Sequence, residues 1–301
     1  MSTTAPNDFF SIVKSLGLAA RPKTLTAAFV PCLAGTCYAS SLSTAWSLRV
    51  FFYALFSAVF IQIGTNLVND AIDFKKGADT ENRIGPKRVT QAGIFSFTQV
   101  MLIASLFFFL ALILGIPLVL IGGWPMVTVG IVSILFGYGY TAGPYPLAYK
   151  GLGDLFVILF FGFVAVQGIF YLHTQYINWG SWVLGLQIGL LATVLIALNN
   201  LRDVHGDTLA NKKTLAVRFG IDFAKFEIRA LCLLPFFLNL FWLVSHKPFV
   251  FIIPFLSLPL AIKITRNVSI HPPGPIYNKF LAQAAALHLL FGLCISIGFI
   301  I

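Results

Sequence analysis

The sequence predicts an all-α fold, a polytopic membrane helical bundle of about nine transmembrane helices. Three observations predict it. The 301 residues are 58% hydrophobic and only 10% charged, with a mean hydropathy of +0.89, which lies outside the soluble range. About nine apolar segments, each close to the ~20 residues that cross a bilayer, take up nearly the whole chain and leave no room for a soluble domain. Of the 20 Lys and Arg, all except Arg49 and Lys247 fall at one set of alternate segment ends, the bias that marks a cytoplasmic face. Residues 1–301 therefore read as a single integral-membrane domain. The basic pI of about 9.6 reflects loops beside anionic membrane lipid and calls for no nucleic acid.

The elements follow in order. Residues 1–23 lack both a continuous apolar stretch and a small-residue cleavage site, so no signal peptide is read; they suit a short interfacial helix. Span one, 24–43, carries Cys32 and Cys37, which like Cys232 and Cys294 sit in apolar surroundings without disulfide or zinc spacing. Span two, 50–69, runs inward and ends in the first acidic stretch. Spans three and four, 97–116 and 125–142, lead to a turn marked by Gly143, Pro144 and Pro146. Span five, 153–172, is rich in Phe; Phe160, Phe161 and Phe163, with Phe108 of span three, read as packing or lipid-facing rings before any role in a binding pocket. Span six, 181–200, ends in the second acidic stretch. Spans seven, eight and nine cover 228–245, 248–264 and 280–300. His173, His246 and His288 read as structural, and His205 is the one histidine placed beside the acids.

All ten acids fall on the cation-rich face. At the end of span two, Asn66/Asp70 and Asn69/Asp73 are i,i+4 pairs that share a face if helix persists there. Carboxylates at a helix C-terminus oppose the macrodipole, so the arrangement asks for a cation. At the end of span six, Asn199, Asp203 and Asp207 repeat the spacing. Hard oxygen ligands without clustered Cys or His favour Mg²⁺. The nearby Arg83, Lys87, Arg88, Lys212, Lys213 and Arg218 suit phosphate oxygens. Because Mg²⁺ binds through a few carboxylates together with substrate phosphates, the two patches read as one diphosphate site.

At these residues the chain resembles the UbiA-type membrane prenyltransferases, in their naphthoate branch. The likeness is carried by "RPKTL" at 21–25, "NDAIDFKKGADTENRIGPKRVTQAG" at 69–93, "GPYPLAYKGLGDLFVILFFGFVAVQG" at 143–168 and "NNLRDVHGDTLANKKTLAVRFG" at 199–220. It implies a Mg²⁺-dependent enzyme that takes a polyprenyl diphosphate and an aromatic acceptor, here 1,4-dihydroxy-2-naphthoate, with loss of CO₂. The implied catalytic residues are Asp70, Asp73, Asp203 and Asp207, and the metal ligands these with Asn69 and Asp79. The implied diphosphate cations are Arg83, Lys87, Arg88, Lys150 and Lys212. Asn66, Asn69, Asn199, Tyr140, Tyr145 and Arg21 are the candidate acceptor contacts, with Tyr138 nearby. The chain departs from the broader family at Gly77, where a third acid is expected, and at Tyr149, where a Lys is frequent.

Competing readings are a prenyltransferase for another acceptor, such as 4-hydroxybenzoate or homogentisate, a transporter, and a CDP-alcohol phosphotransferase. The "GADTENRIGPKRVTQAG" extension argues against the first. Transporter acids favour the midplane of broken helices, whereas these gather at one face. No DG-x2-AR arrangement accompanies the acids, against the third. The expected location is a bacterial cytoplasmic membrane, with the site facing the cytoplasm.

Overall fold

A computed structural model describes residues 15–42, 46–77, 84–85 and 88–301. Among these it is helical, without strands. The main helices are α1 (Pro22–Ser40), α2 (Leu48–Lys75), α3 (Phe97–Gly122) and α4 (Trp124–Gly139), then α5 (Gly153–Thr174), α6 (Trp179–Arg202), α7 (Ile221–Val244), α8 (Pro248–Ile270) and α9 (Tyr277–Ile300). Seven of them are long and apolar enough to cross a membrane, and the chain is an integral membrane protein. The other two are α4, which is shorter, and α1, whose 19 residues pack against α9, α5 and α2. Together they match the bundle that the sequence predicts.

Local sequence explains the helix ends. Ser96 accepts from the Gln99 backbone while Gln99 returns a bond to the Ser96 N–H, a capping box that starts α3. Asn178 and Ser181 do the same for α6. A single residue, Gly123 at φ 65°, separates α3 from α4; that left-handed backbone favours glycine, and Pro125 then suits the first turn of α4. Trp46, Trp124 and Trp179 are exposed at the ends of helices remote from the acids, where an aromatic belt belongs.

α6 is the most enclosed helix. It meets α5 through glycines: a Cβ on Gly162 would lie 2.4 Å from the Gly185 carbonyl, and one on Gly189 would lie 2.9 Å from that of Ile158. At this crossing α5 passes through a π-helical segment, Ile158–Val164, a widened turn that the approach of α6 accompanies. On its other side α6 buries Gln187, which donates to the Pro235 carbonyl at 2.8 Å and to Asn239 at 2.6 Å while accepting from the Trp242 indole at 2.9 Å. That network is fully paired, as buried polar groups must be. The main core therefore lies among α1 and α5–α9, a smaller one fills the space between α2 and α3, and a cavity remains between them.

Candidate functional site

α2 remains helical through the first acidic stretch, and Asn66, Asn69, Asp70 and Asp73 are all buried there. Tertiary neighbours then divide their roles. Asn66 donates to the Ala20 carbonyl at 3.0 Å and to Thr24 at 3.1 Å, fastening α2 to the start of α1. Asn69 accepts from the Thr141 hydroxyl. Asp70 turns to the chain that returns toward α3: Oδ2 accepts from the Val89 N–H at 3.1 Å, and Oδ1 from the Thr90 N–H at 3.2 Å and the Thr90 hydroxyl. Asp73 pairs with Arg88 at 2.9 Å and accepts from the Tyr149 hydroxyl at 2.8 Å. Arg88 also donates to the Asn69 carbonyl at 2.7 Å, so this loop cation supports the last turns of α2. Lys76 donates to the Thr141 carbonyl at 2.9 Å and lies over the Tyr149 ring, 4.3 Å from its centre.

The second patch is not one continuous helix. α6 stops at Arg202, Asp203 takes φ −95° and ψ 8°, and a short helix, Val204–Leu209, follows. The i−4 hydrogen bonds continue through the break, from Asp203 to Asn199 at 3.1 Å and from Asp207 to Asp203 at 2.8 Å, so the spacing read from sequence keeps its register. Arg202, 2% exposed, organises the patch. Its Nε and Nη2 grip both Asp203 oxygens at 2.8 and 2.6 Å, Nη2 reaches Asn199 at 2.7 Å, and Nη1 reaches Asn278 of α9 at 2.7 Å. Lys212 Nζ lies 3.4 Å from Asp207 Oδ1. The other Asp207 oxygen is buried with no hydrogen-bond partner. Burial holds the Asp207 carboxyl up at about 6, with Lys212 acting against the rise.

A cavity of about 1190 Å³ joins the two patches. Arg21, Asn69, Asp73, Arg88, Asn199 and Lys212 line its polar end, and the rest runs between α2, α3, α4 and α5 over apolar side chains such as Ile61, Ile116, Ile134 and Phe160. Asn66, Asp70 and Tyr140 also reach it. Asp203 and Asp207 do not line it; they are paired to Arg202 and Lys212, which do. Tyr145 and Lys150 are exposed, with the Lys150 Nζ 4.9 Å from the Tyr145 ring centre, and stand outside the cavity. Tyr138 and His205 are exposed. Asp79, Arg83 and Lys87 lie outside the described residues.

Of the four phenylalanines singled out, Phe160 and Phe161 line the cavity, whereas Phe108 packs over Gly64 and Phe163 against Trp182 at 5.2 Å. His173 is held by Thr36 and the Ser47 N–H, both at 3.3 Å, and His288 is buried beside Thr26. His246 occupies a turn at φ 57°. The four cysteines are free and buried.

Sequence reasoning missed Thr90, Thr141, Arg202 and Asn278 as parts of the site. It also missed Asp154, a buried acid on the cavity wall. The available signal was that Asp154 is the sole acid between Glu81 and Asp203 and stands at the head of an apolar run.

The donors at the polar end are carboxylate and amide oxygens. Among the described residues no three His, Cys, Asp or Glu side chains form a ready-made metal cluster. This fits Mg²⁺, which takes one or two carboxylates and fills its remaining positions with water and phosphate oxygens. The unpartnered Asp207 oxygen is an atom that such an ion would satisfy.

Residues 28–290 match the UbiA prenyltransferase family. The chain is 32% identical over 298 residues to 1,4-dihydroxy-2-naphthoate octaprenyltransferase of Bacillus subtilis, covering 93% of this chain and 90% of that one. It is 33% identical over 307 residues to the enzyme of the same name from Escherichia coli, covering 92% and 94%. A solved UbiA homologue from Archaeoglobus fulgidus, bound to DMAPP and Mg²⁺, shares the fold with a TM-score of 0.65 at 17% identity, over 94% of this chain and 99% of that one. A membrane bundle with two acidic helix ends over one cavity and these relatives along nearly its whole length belongs to the UbiA prenyltransferase family.

Proposed function

We propose that this chain transfers a polyprenyl group from a polyprenyl diphosphate to 1,4-dihydroxy-2-naphthoate, releasing diphosphate and CO₂ and leaving a demethylmenaquinol, the hydroquinone form of a demethylmenaquinone. The observation that carries the reading is one cavity with a charged end and a long apolar arm, the shape of a substrate that is anionic at one end and hydrocarbon elsewhere. The names of the relatives support the choice of acceptor. The active domain spans 1–301, and the charged end faces the cytoplasm of a bacterial membrane, since the cations gather there.

Asn69 and Asp73, which line the cavity, would hold Mg²⁺, Asp203 and Asp207 would join them by exchanging Arg202 and Lys212 for the ion, and Asp70 retains one free lone pair on Oδ2. The chemistry Mg²⁺ supplies there is neutralisation of the diphosphate oxygens as negative charge develops on the leaving group. Arg88 and Lys212 bring preorganised positive charge to the same oxygens, with Arg88 fixed by Asp73 and the Asn69 carbonyl. Arg21, Asn199 and Tyr140 line the cavity where the acceptor enters. Phe160 and Phe161 offer ring faces to the allylic cation and help exclude water.

The test is incubation of the purified protein with Mg²⁺, a prenyl diphosphate series and either 1,4-dihydroxy-2-naphthoate or 4-hydroxybenzoate, with products identified by mass. The expected product is the naphthoate adduct lacking the carboxylate. Prenylated 4-hydroxybenzoate in its place would overturn the acceptor, and no adduct with either acceptor would overturn the reaction.

A further inference from the structure

Asp154 stands apart from both acidic patches. It is the second residue of α5, 4% exposed, and it lines the cavity. Its Oδ1 is buried and receives no hydrogen bond. The other carboxylates at the polar end are all engaged: Asp73 with Arg88, Asp203 with Arg202, Asp207 with Lys212, and Asp70 with the Val89 and Thr90 N–H groups. Asp154 and Asp207 each keep a buried oxygen without a donor, but Asp207 is held by Lys212 and does not line the cavity, whereas Asp154 stands against a cavity large enough to bring one.

The surroundings select the donor. A diphosphate would be repelled by an acid with no cation bound to it, whereas a neutral hydroxyl would supply the missing hydrogen bond. Gly153 sets the space: a Cβ there would lie 2.8 Å from the Tyr140 hydroxyl and 3.2 Å from Ile196. The bare glycine therefore lets Tyr140 close one side of the pocket next to Asp154. Asn199 and Asn200 of α6 line the same cavity. The ionisable side chains whose fields reach Asp154 are Tyr140, Lys212 and Glu227.

We infer that Asp154 is a catalytic base for the aromatic acceptor: it accepts the hydrogen bond of the ring hydroxyl beside the carbon under attack and takes that proton as the new bond forms. The inference rests on the reaction proposed above. The allylic C–O bond breaks and its electron pair leaves with diphosphate. The O–H pair becomes a C=O bond as the proton passes to Asp154, and the ring π pair forms the new C–C bond at the carbon that bears the carboxylate. The product is a β-keto acid, which loses CO₂; the pair from the broken C–C bond restores the ring, and Asp154 returns its proton to the oxygen. The base is regenerated and no further reactant is consumed.

Asp154→Asn and Asp154→Glu in the full-length protein test this, with geranyl diphosphate, Mg²⁺ and 1,4-dihydroxy-2-naphthoate as substrates. Wild-type product must first be seen by mass; its absence overturns the proposed reaction, and the role of Asp154 with it. With wild type active, Asp154→Asn is expected to lower kcat about a hundredfold or more, the usual weight of general acid–base catalysis. The KM for geranyl diphosphate should stay within about threefold, and Mg²⁺ with geranyl diphosphate should still raise the unfolding temperature. Its kcat should climb with pH as solvent takes over the proton, and Asp154→Glu should recover roughly a tenth of wild-type kcat. The assignment is overturned if Asp154→Asn keeps more than about a third of kcat. It is also overturned if its loss appears as a raised diphosphate KM or a lost thermal response, because Asp154 would then serve the diphosphate or the fold.

Discussion

Asp207 provides a test that needs no substrate. In the metal-free protein, burial holds its carboxyl at about 6 against an ordinary 3.8. The folded state thus binds this proton more tightly than the unfolded chain does. The group contributes stability that is fully present below about pH 4 and lost as pH rises through about 6. The gap corresponds to roughly 3 kcal/mol by neutral pH, as an upper limit, because Lys212 compensates part of the buried charge. Asp207→Asn keeps the shape and removes the charge. In chelator at about pH 7.5 the variant should therefore be more stable than the parent by up to about 3 kcal/mol, and the two should converge near about pH 4. Mg²⁺ should reverse the order, since an ion that binds only the native state adds about 4.1 kcal/mol at a thousandfold excess over its Kd, and an amide replaces a carboxylate poorly as its ligand. The assay is thermal unfolding in detergent, followed by intrinsic tryptophan fluorescence at both pH values with chelator or Mg²⁺. Parallel pH profiles for the two proteins, or equal stabilisation of both by Mg²⁺, would refute the reasoning.

Three further outcomes are expected. Arg88→Ala should lower kcat/KM for the prenyl diphosphate about ten- to a hundredfold, since a charge-assisted bond contributes about 1.5–3 kcal/mol, and Arg88→Lys less; a raised acceptor KM with intact diphosphate kinetics would reassign Arg88 to the acceptor carboxylate. Gly189→Ala sets a methyl 2.9 Å from the Ile158 carbonyl and 3.0 Å from the Gly162 Cα, so overpacking should cost about 1–3 kcal/mol; an unchanged unfolding temperature would show that α5 yields freely. In intact cells, Ile301→Cys should react with an impermeant maleimide and Lys76→Cys should not, and the opposite pattern inverts the topology.

The helices were legible in the sequence because lipid imposes a long, simple signal: apolar runs of span length with cations at alternate ends. The interruptions were not. The π turn at Ile158–Val164 leaves an apolar run apolar, and Asp203 breaks a helix while keeping the i,i+4 spacing that had suggested continuity. The site was legible in its residue types and less so in its assignments. Asp70 and Asp73 looked equivalent three positions apart; only the fold aims one at Val89 and Thr90 and the other at Arg88 and Tyr149. Arg202 was read as one loop cation among many because the three partners that define it lie partly on α9. Asp154 left a trace, an isolated acid heading an apolar span, whose meaning depends on a cavity that no spacing encodes.

Because Asp70 holds Val89 and Thr90, the chain position that delivers Arg88 is set from a helix nearly twenty residues upstream. In a random-mutagenesis library the segment after position 87 should thus behave as part of α2 rather than as a tolerant loop. Thr90→Val and Asp70→Asn would each loosen the same anchor, so their combination should hurt little more than the worse of the two, the non-additivity of neighbours within one network. Screens that score substitutions singly would count Asp70 among the reacting groups even where its loss acts by misplacing the Arg88 guanidinium.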